Sequence, residues 1–321
     1  MITTNDFEKK QIIFVFLNAG EKVSFSNDNI VIKNADGILK HQSTCYRLFM
    51  VFIIGHISVT SGLLQRAKKF GFVVILMTSG LRIYEYLGGK MEGNVLLRRH
   101  QYAYNDIEIG KHIILNKVAN QRKLLERQRN KSVELKNTIA KMKELEESII
   151  GYQGNLAGIL GVEGAAARMY FPNHFNNIHW CGRQPRIKLD YVNSVLDIGY
   201  TLLFNFIDAL LNVYGFDTYC GVLHREFYMR KSLVCDLVEP FRVLIDDAVK
   251  KAINLEQCKE EDFTLVNGKY LLEWKHNPYY VNFLMKPLLE HKNEIFLYVQ
   301  GYYRAFMKQK SAKNFPVFNL E

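Results

Sequence analysis

Residues 236–242 read Asp-Leu-Val-Glu-Pro-Phe-Arg, and this heptapeptide decides how the second half of the chain is interpreted. Asp236 and Glu239 stand three residues apart, so both carboxylates project from one side if the segment is helical. Pro240 lacks the amide hydrogen that a helix interior requires, so we expect a kink or a restart near Glu239. An ion pair with a neighbouring lysine or arginine is the simpler interpretation of the two carboxylates, and a cation bound between them is the alternative.

Helical signals continue on both sides of the heptapeptide. Asp190 predicts the N-cap of a helix at about 191–213, and Gly215 predicts its end. Ser232 predicts the cap of a following helix that runs to Val249. From about Asn94 onward, apolar residues recur at three- and four-residue steps, which favours amphipathic helices.

Residues 111–150 carry ten Lys or Arg and five Asp or Glu. Such a charge run is usually the solvated face of a helix, and a surface that contacts phosphates is the alternative. The end of the chain, from Lys308 onward, is predicted to fray.

The first 90 residues have a different pattern, with β-branched and aromatic runs between turn signals. Predicted strands are 12–17, 22–25, 30–33, 38–42, 48–54, 72–77 and 82–87. One helix is expected at 61–70, with Thr60 as its N-cap and Gly71 as its end. Gly88-Gly89 suggests a hinge after this region.

The predicted fold class is therefore α+β. A small β-rich N-terminal domain at 1–92 precedes a larger all-α catalytic domain at 93–321. A chain of 321 residues is long enough for two domains that each bury a core.

The chain is basic, with a formal net charge of +10. Nucleic acid or another anionic surface is the expected partner, although a basic protein without a polyanionic partner stays an alternative. The five cysteines are odd in number, and no two are spaced Cys-x-x-Cys. This argues against a disulfide framework and a zinc knuckle. A reducing cytoplasm is therefore the favoured compartment. We expect no membrane segment, since the most apolar window, 48–55, is far shorter than the ~20 residues a membrane helix needs.

Two further residues complete a candidate site. Glu163 lies among small and apolar neighbours in Gly-Val-Glu-Gly at 161–164, and His224 precedes Asp236 by twelve residues. Taken alone, Glu163 would be exposed or paired with a cation, and a lone histidine is more often structural than a ligand. Together with Asp236 and Glu239 they form a set of carboxylates and one imidazole able to bind a divalent cation. A P-loop, a His-Glu-x-x-His helix and a Gly-x-Ser-x-Gly elbow are missing from the sequence.

Several stretches carry a resemblance to a known family. They are NVLLRRHQY (94–102), GILGVEGAAARMYF (158–171), KLDYVNSVLDIGYTLL (188–203) and GFDTYCGVLHREFYMRKSLVCDLVEPFR (215–242). In this order they resemble the CRISPR-associated adaptation integrases, which are metal-dependent DNA endonucleases that insert new spacers into a CRISPR array. The likeness covers essentially the whole chain.

The resemblance implies a set of catalytic residues. The metal ligands of the family fall on Glu163, His224 and Glu239, and Asp236 takes the position of an additional acidic residue close to the site. Carboxylates with one imidazole suit Mg²⁺ or Mn²⁺. The implied reaction is attack of a DNA 3′-hydroxyl on a phosphodiester at the boundary of a CRISPR repeat.

The resemblance also implies partners. These are double-stranded DNA, a second copy of the chain joined through the N-terminal domain, and the small second CRISPR adaptation protein. Candidate phosphate contacts are Arg98, Arg99, Arg168, Arg183, Arg186, Arg225, Arg230, Lys231 and Arg242. Tyr170, Tyr191 and Tyr228 are candidates for stacking on splayed bases.

Two other functions stay open at this point. The chain could be a DNA-capturing scaffold whose carboxylates are only structural. It could also be a general nuclease that cleaves branched DNA in repair.

Overall fold

The computed structural model describes residues 3–56, 58–88, 91, 93–178, 180–224 and 227–320. The chain divides into two compact units. The first unit comprises Met1–Glu92 and Leu272–Tyr279, and the second comprises Gly93–Leu271 and Tyr280–Glu321. The sequence does not signal the return of residues 272–279 to the first unit.

The first unit contains most of the strands. Its elements are α1 (Thr4–Glu8), β1 (Gln11–Leu17), β2 (Lys22–Ser26), β3 (Asn29–Lys33), β4 (Leu39–Thr44), β5 (Leu48–Gly55), α2 (Ser61–Phe70), β6 (Val73–Met77) and β7 (Ile83–Leu87). All seven predicted strands and the helix α2 are confirmed. Thr60 precedes α2 but makes no side-chain cap, whereas Gly71 ends the helix in the left-handed conformation at φ 70°.

Among the described residues these strands form a mixed sheet and an antiparallel sheet. The mixed sheet has the order β1-β5-β6-β7, with β7 antiparallel to β6 and the other pairs parallel. The antiparallel sheet has the order β2-β3-β4. Side chains of both sheets and of α2 share one core, in which Leu48, Val51 and Ile53 of β5 are fully buried. A strand covered on both faces explains the unbroken apolar run at 48–55.

The second unit is mostly helical. Its helices are α3 (Val95–Ala103), α4 (Glu108–Glu126), α5 (Val133–Ile150), α6 (Leu156–His174), α7 (Tyr191–Tyr214), α8 (Ser232–Val238), α9 (Arg242–Asn254), most of α10 (Asn277–Glu290) and α11 (Lys292–Met307). A strand-rich first part followed by a mostly helical second part confirms the predicted α+β class.

Helix α7 forms the centre of this unit. The Asp190 side chain caps it by accepting from the Asn193 amide at 2.6 Å, and Gly215 ends it at φ 81°, as predicted. By length and composition α7 could cross a membrane, but 78% of its most apolar window is buried inside the protein. It is therefore a core helix of the second unit.

The restart predicted near Pro240 is confirmed. Helix α8 ends at Val238, a single 3₁₀ turn covers Glu239–Phe241, and α9 begins at Arg242. Ser232 was expected as the cap of α8, and this is wrong, because Ser232 is the first helical residue and Lys231 precedes it without capping.

The expectation of an all-α second domain is wrong in one place. Strands β8 (Phe263–Val266) and β9 (Lys269–Leu272) form a hairpin. Asn267 and Gly268 both have positive φ, at 50° and 73°, as a type I′ hairpin turn requires. Asn-Gly between two apolar runs is a strong hairpin signal, so the sequence contained the information.

The predicted fraying of the C-terminal residues is also wrong. Phe315, Phe318 and Leu320 are buried. Asn116 of α4 donates to the Phe318 carbonyl at 2.7 Å and accepts from its amide at 2.9 Å. Asn120, one turn later, accepts from the Leu320 amide at 3.0 Å. These hydrogen bonds pair an extended tail with α4, which no charge or composition pattern reveals.

Candidate metal centre

Glu163 and Glu239 meet at a buried lysine that the sequence analysis missed. Glu163 lies on α6 and Glu239 opens the 3₁₀ turn after α8. Lys117 of α4 forms ion pairs with both carboxylates, with its Nζ 2.6 Å from Glu239 Oε2 and also in contact with Glu163 Oε1. The Lys117 and Glu239 side chains are 9% and 6% exposed, whereas that of Glu163 is 25% exposed. Glu163 and Glu239 follow Lys117 by 46 and 122 positions in the sequence, and the fold brings both to one ammonium group.

The charges around Glu239 keep it ionised. Burial alone would raise its pKa, but Arg242, Lys117 and His224 outweigh that effect and lower the pKa to about 2. Burial likewise disfavours the Lys117 ammonium, yet the charges of Glu239 and Glu163 together raise the pKa of that lysine. His224 adds to the low pKa of Glu239 when its ring is protonated, so the imidazole lies within electrostatic range of this carboxylate.

Asp236 fixes the position of His224. The carboxylate is fully buried and accepts from the His224 ring Nδ1 at 2.7 Å and from the His224 amide at 2.9 Å. Its second oxygen accepts from the amides of Val222 and Leu223 at 2.7 and 3.0 Å. A neutral imidazole that donates from Nδ1 carries its lone pair on Nε2, so Nε2 is the nitrogen able to bind a ligand.

The loop before His224 approaches α8 closely at Gly221. A Cβ atom at this position would lie 2.6 Å from the His224 carbonyl oxygen and 2.7 Å from Asp236 Oδ2. Only glycine leaves space for the carboxylate to reach the three amides. The loop and the carboxylate therefore form one rigid support for the imidazole.

A second buried network lies behind Arg242. The guanidinium donates to Glu239 Oε2 at 3.1 Å and lies 4.5 Å from the centre of the Tyr200 ring. Tyr200 and Tyr170 both donate to the fully buried Asp246, Tyr170 at 3.0 Å. Burial raises the pKa of Asp246 to about 6, against the two tyrosine hydrogen bonds that lower it. Tyr170 is fully buried in this network, so the idea that it stacks on DNA bases is wrong.

The donors present fit a divalent cation, although they are not arranged as a ligand sphere. In the part of the chain that the structure describes, no three His, Cys, Asp or Glu side chains surround one point. The carboxylates of Glu163 and Glu239 instead converge on the Lys117 ammonium, and a cationic group at this point is what two adjacent carboxylates require. Two carboxylates with one oriented imidazole suit Mg²⁺ or Mn²⁺ in chemistry.

Lys117 and Asp246 are the site residues that sequence reasoning missed. Each is one charged residue within an amphipathic helix, where a solvated side chain is the ordinary expectation. The position of Lys117 among apolar residues of α4 was one signal in the sequence that this lysine is buried. Ile113, Ile114 and Val118 are buried next to it, so Lys117 occurs on a face that is largely apolar.

The candidate phosphate contacts divide by exposure and by partners. Arg99, Arg168 and Arg186 are exposed. Three others already pair with carboxylates: Arg183 with Asp197 at 2.6 Å, Lys231 with Asp208 at 2.7 Å, and Arg242 with Glu239. Arg98 and Arg230 are half-buried, and Arg225 lies outside the described residues. Tyr228, four residues after His224, is 87% exposed, and Tyr191 is half-buried.

Comparison with known proteins shows the family of the chain. Residues 14–282 match the family model of CRISPR associated protein Cas1. CRISPR-associated endonuclease Cas1 2 of Rhodospirillum rubrum is 29% identical over 284 residues, which are 82% of each chain.

Solved structures support the fold. The chain is similar to a chain of a Cas6-RT-Cas1–Cas2 complex, with a TM-score of 0.80 and 22% identity over 97% of this chain and 36% of that one. It is also similar to a casposase bound to integration product, with a TM-score of 0.76 and 19% identity over 97% and 96% of the two chains. The family model covers most of the sequence, and the fold agrees with it. The chain belongs to the Cas1 family of CRISPR-associated proteins.

Proposed function

We propose that this protein is a metal-dependent DNA integrase and endonuclease that inserts spacers into a CRISPR array. The observation that carries the proposal is the meeting of Glu163 and Glu239 at Lys117, together with an imidazole that Asp236 orients and that acts electrostatically on Glu239. The named endonuclease among the relatives and the casposase among the similar folds support it.

In this proposal Glu163, Glu239 and Nε2 of His224 are the residues that would hold one Mg²⁺ or Mn²⁺. Bound there, such a cation would supply Lewis-acid chemistry, which would lower the pKa of the attacking DNA 3′-hydroxyl and offset charge on the phosphodiester in the transition state. Asp236 acts through His224 as a positioning residue, because its oxygens are engaged by the ring and three backbone amides. Arg242 keeps Glu239 in place through their ion pair.

DNA binding rests on the basic charge of the chain. The net charge of +10 favours association with phosphates, and the exposed Arg99, Arg168 and Arg186 are the candidates that contact them most readily. An arginine that already pairs with a carboxylate must exchange that partner for a phosphate, which weakens its contribution.

We further propose that the protein assembles with the small adaptation protein Cas2 and with a second copy of itself, joined through the β-rich unit. The Cas6-RT-Cas1–Cas2 complex among the similar structures supports the Cas2 partner. Five free cysteines suit the reducing cytoplasm, where we expect the protein to act.

A strand-transfer assay tests the proposal. Purified protein is mixed with a short duplex bearing 3′-hydroxyl ends and a supercoiled plasmid carrying the cognate repeat, with Mn²⁺, Mg²⁺ or EDTA. Joining is expected with metal, with or without added Cas2, and is expected to fall at least 100-fold in Glu163→Gln and Glu239→Gln while DNA binding persists.

The other functions would give different results in the same assay. Tight DNA binding without joining under any metal would favour a DNA-capturing scaffold. Cleavage of branched DNA without preference for the repeat would favour a general nuclease.

A further inference from the structure

Lys117 occupies the point that both proposed ligand carboxylates face. Its Nζ contacts Glu163 Oε1 and lies 2.6 Å from Glu239 Oε2, and the side chain is 9% exposed. The lysine comes from α4, whereas the carboxylates come from α6 and the 3₁₀ turn after α8. One ammonium therefore ties three elements of the second unit together.

The charges in this cluster balance. Glu163 and Glu239 carry two negative charges, and Lys117 and Arg242 carry two positive charges. A divalent cation bound to both carboxylates would lie at about 2.1 Å from their oxygens. It would then share those oxygens with an ammonium of like charge in a poorly solvated site, where repulsion between cations is strong. The ammonium and a divalent cation thus compete for the same two carboxylates.

We propose that Lys117 is an exchangeable internal cation: it holds Glu163 and Glu239 together until a divalent metal binds, and then withdraws and donates to the phosphate of the DNA at the same place. Lysine suits this exchange, since its ammonium is a compact charge with three donors on a flexible stem. The inference rests on the proposed metal-dependent function and assigns it a residue that is not a metal ligand.

The proposed exchange predicts that a variant without the Lys117 ammonium binds metal more tightly. Lys117→Met removes the competing charge and leaves the two carboxylates without a shared cation. We expect it to bind Mn²⁺ at least tenfold more tightly than the wild type. We also expect a lower melting temperature in EDTA, which Mn²⁺ restores, and slower strand transfer at saturating metal.

Lys111 of α4 provides a matched control. It is also a buried lysine, with Nζ 2.9 Å from Glu108 Oε1 and 2.7 Å from the Tyr152 carbonyl, but neither partner is a proposed ligand. Lys111→Met should therefore lower the melting temperature without changing the Mn²⁺ affinity.

The experiment is a titration of Mn²⁺ followed by electron paramagnetic resonance and calorimetry, on wild type, Lys117→Met, Lys111→Met and Glu163→Gln. Tighter binding by Lys117→Met alone, with Mn²⁺ also bound by the wild type, supports the exchange. Mn²⁺ binding by this variant but not by the wild type overturns the exchange, because the ammonium then never yields to the metal. Equal or weaker binding by Lys117→Met overturns it. If the wild type binds Mn²⁺ through Glu163 and Lys117→Met is no tighter, the Lys117 proposal fails while the proposed function stands.

A second measurement avoids the risk that Lys117→Met misfolds. Wild-type protein is treated with an amine-acylating reagent with and without saturating Mn²⁺, and modification of each lysine is read by mass spectrometry. Modification of Lys117 should rise at least severalfold with Mn²⁺ relative to Lys111. A Lys117 that stays equally protected when Mn²⁺ is bound would overturn the exchange.

Discussion

The Nδ1 atom of His224 lies 2.7 Å from Oδ1 of Asp236, and the same carboxylate accepts from the amide of His224. The imidazole and its own backbone are therefore held by one buried group. This arrangement is typical of histidines that bind metals, because a partner on one ring nitrogen fixes the direction of the other.

Replacing Asp236 should uncouple the imidazole from its support. Asp236→Asn puts an NH₂ group against backbone donors, and we expect the free energy of unfolding to fall by about 3 kcal/mol or more, as when a buried charged partner is removed. In the folded variant, Mn²⁺ affinity should fall by about 10- to 100-fold. Urea unfolding and Mn²⁺ titration measure the two effects. Wild-type Mn²⁺ affinity in a folded Asp236→Asn protein would contradict the positioning role.

Gly221→Ala tests the tight loop around Asp236. The added Cβ would lie 2.6 Å from the His224 carbonyl oxygen and 2.9 Å from the Ser232 Cβ, so the loop must shift. We expect a loss of about 1–3 kcal/mol in the free energy of unfolding, as for other overpacked sites, together with weaker Mn²⁺ binding.

Gly161 on α6 gives the control for this substitution. A Cβ at Gly161 meets nothing within 4 Å, so Gly161→Ala should stabilise the helix by up to about 1 kcal/mol. Equal effects of the two substitutions would show that the close approach at Gly221 is unimportant.

Asn120 connects the C-terminal tail to the site. It donates to the Phe318 carbonyl at 2.9 Å and to the Pro240 carbonyl, next to Glu239, at 3.2 Å. Asn116 contacts the same tail, and among the described residues its side chain pairs with the backbone of Phe318. Asn116→Ala and Asn120→Ala should each lower the free energy of unfolding by about 1–3 kcal/mol by leaving buried groups unpaired.

The two asparagine variants should differ in metal binding. Only Asn120→Ala releases the 3₁₀ turn that carries Glu239, so only this variant should weaken Mn²⁺ binding. Titration of both variants with Mn²⁺ measures this difference. An equal loss of Mn²⁺ affinity in Asn116→Ala would argue against the link through Pro240.

Asp246 and His174 should give opposite pH dependences. Burial raises the pKa of Asp246 from 3.8 to about 6, so the folded protein keeps a proton that the unfolded chain has lost, and stability falls as pH rises through 4 to 6. Burial lowers the pKa of His174 from 6.5 to about 4, so stability rises over nearly the same range. Each of these two pKa changes corresponds to about 3 kcal/mol in the free energy of unfolding, and the two effects nearly cancel in the wild type.

Asp246→Asn removes one side of this balance. Its free energy of unfolding should rise by about 3 kcal/mol between pH 4 and pH 6.5 relative to that of the wild type. His174→Gln should show the reverse trend. Urea denaturation at several pH values measures the free energy of unfolding of both variants. Parallel pH curves for Asp246→Asn and wild type would show that Asp246 does not keep a proton in the folded protein. Glu239, with a pKa of about 2, contributes stability that is lost only below its ordinary value of 4.5.

Local chemistry explains which elements the sequence predicted. Asp190 and Gly215 bound α7 because a cap and a left-handed glycine act within a few residues, and Pro240 breaks the helix for an equally local reason. The hairpin at Asn267-Gly268 was missed although its signal is local, because the surrounding helical pattern outweighed it.

The site was only partly predictable. Motif resemblance pointed to Glu163, His224 and Glu239, but the ion pairs of Lys117 join residues 46 and 122 positions apart, and no periodicity encodes such contacts. The pairing of Asn116 and Asn120 with the tail is hidden for the same reason, since the partners are about 200 residues apart.

A crystal structure of the protein with Mn²⁺, with diffraction measured at the manganese absorption edge, would locate the proposed metal site. We predict one anomalous peak bound by Glu163, Glu239 and Nε2 of His224, with Lys117 withdrawn from at least one carboxylate. A peak elsewhere, or an unchanged Lys117 bridge in protein that joins DNA under the same conditions, would contradict it.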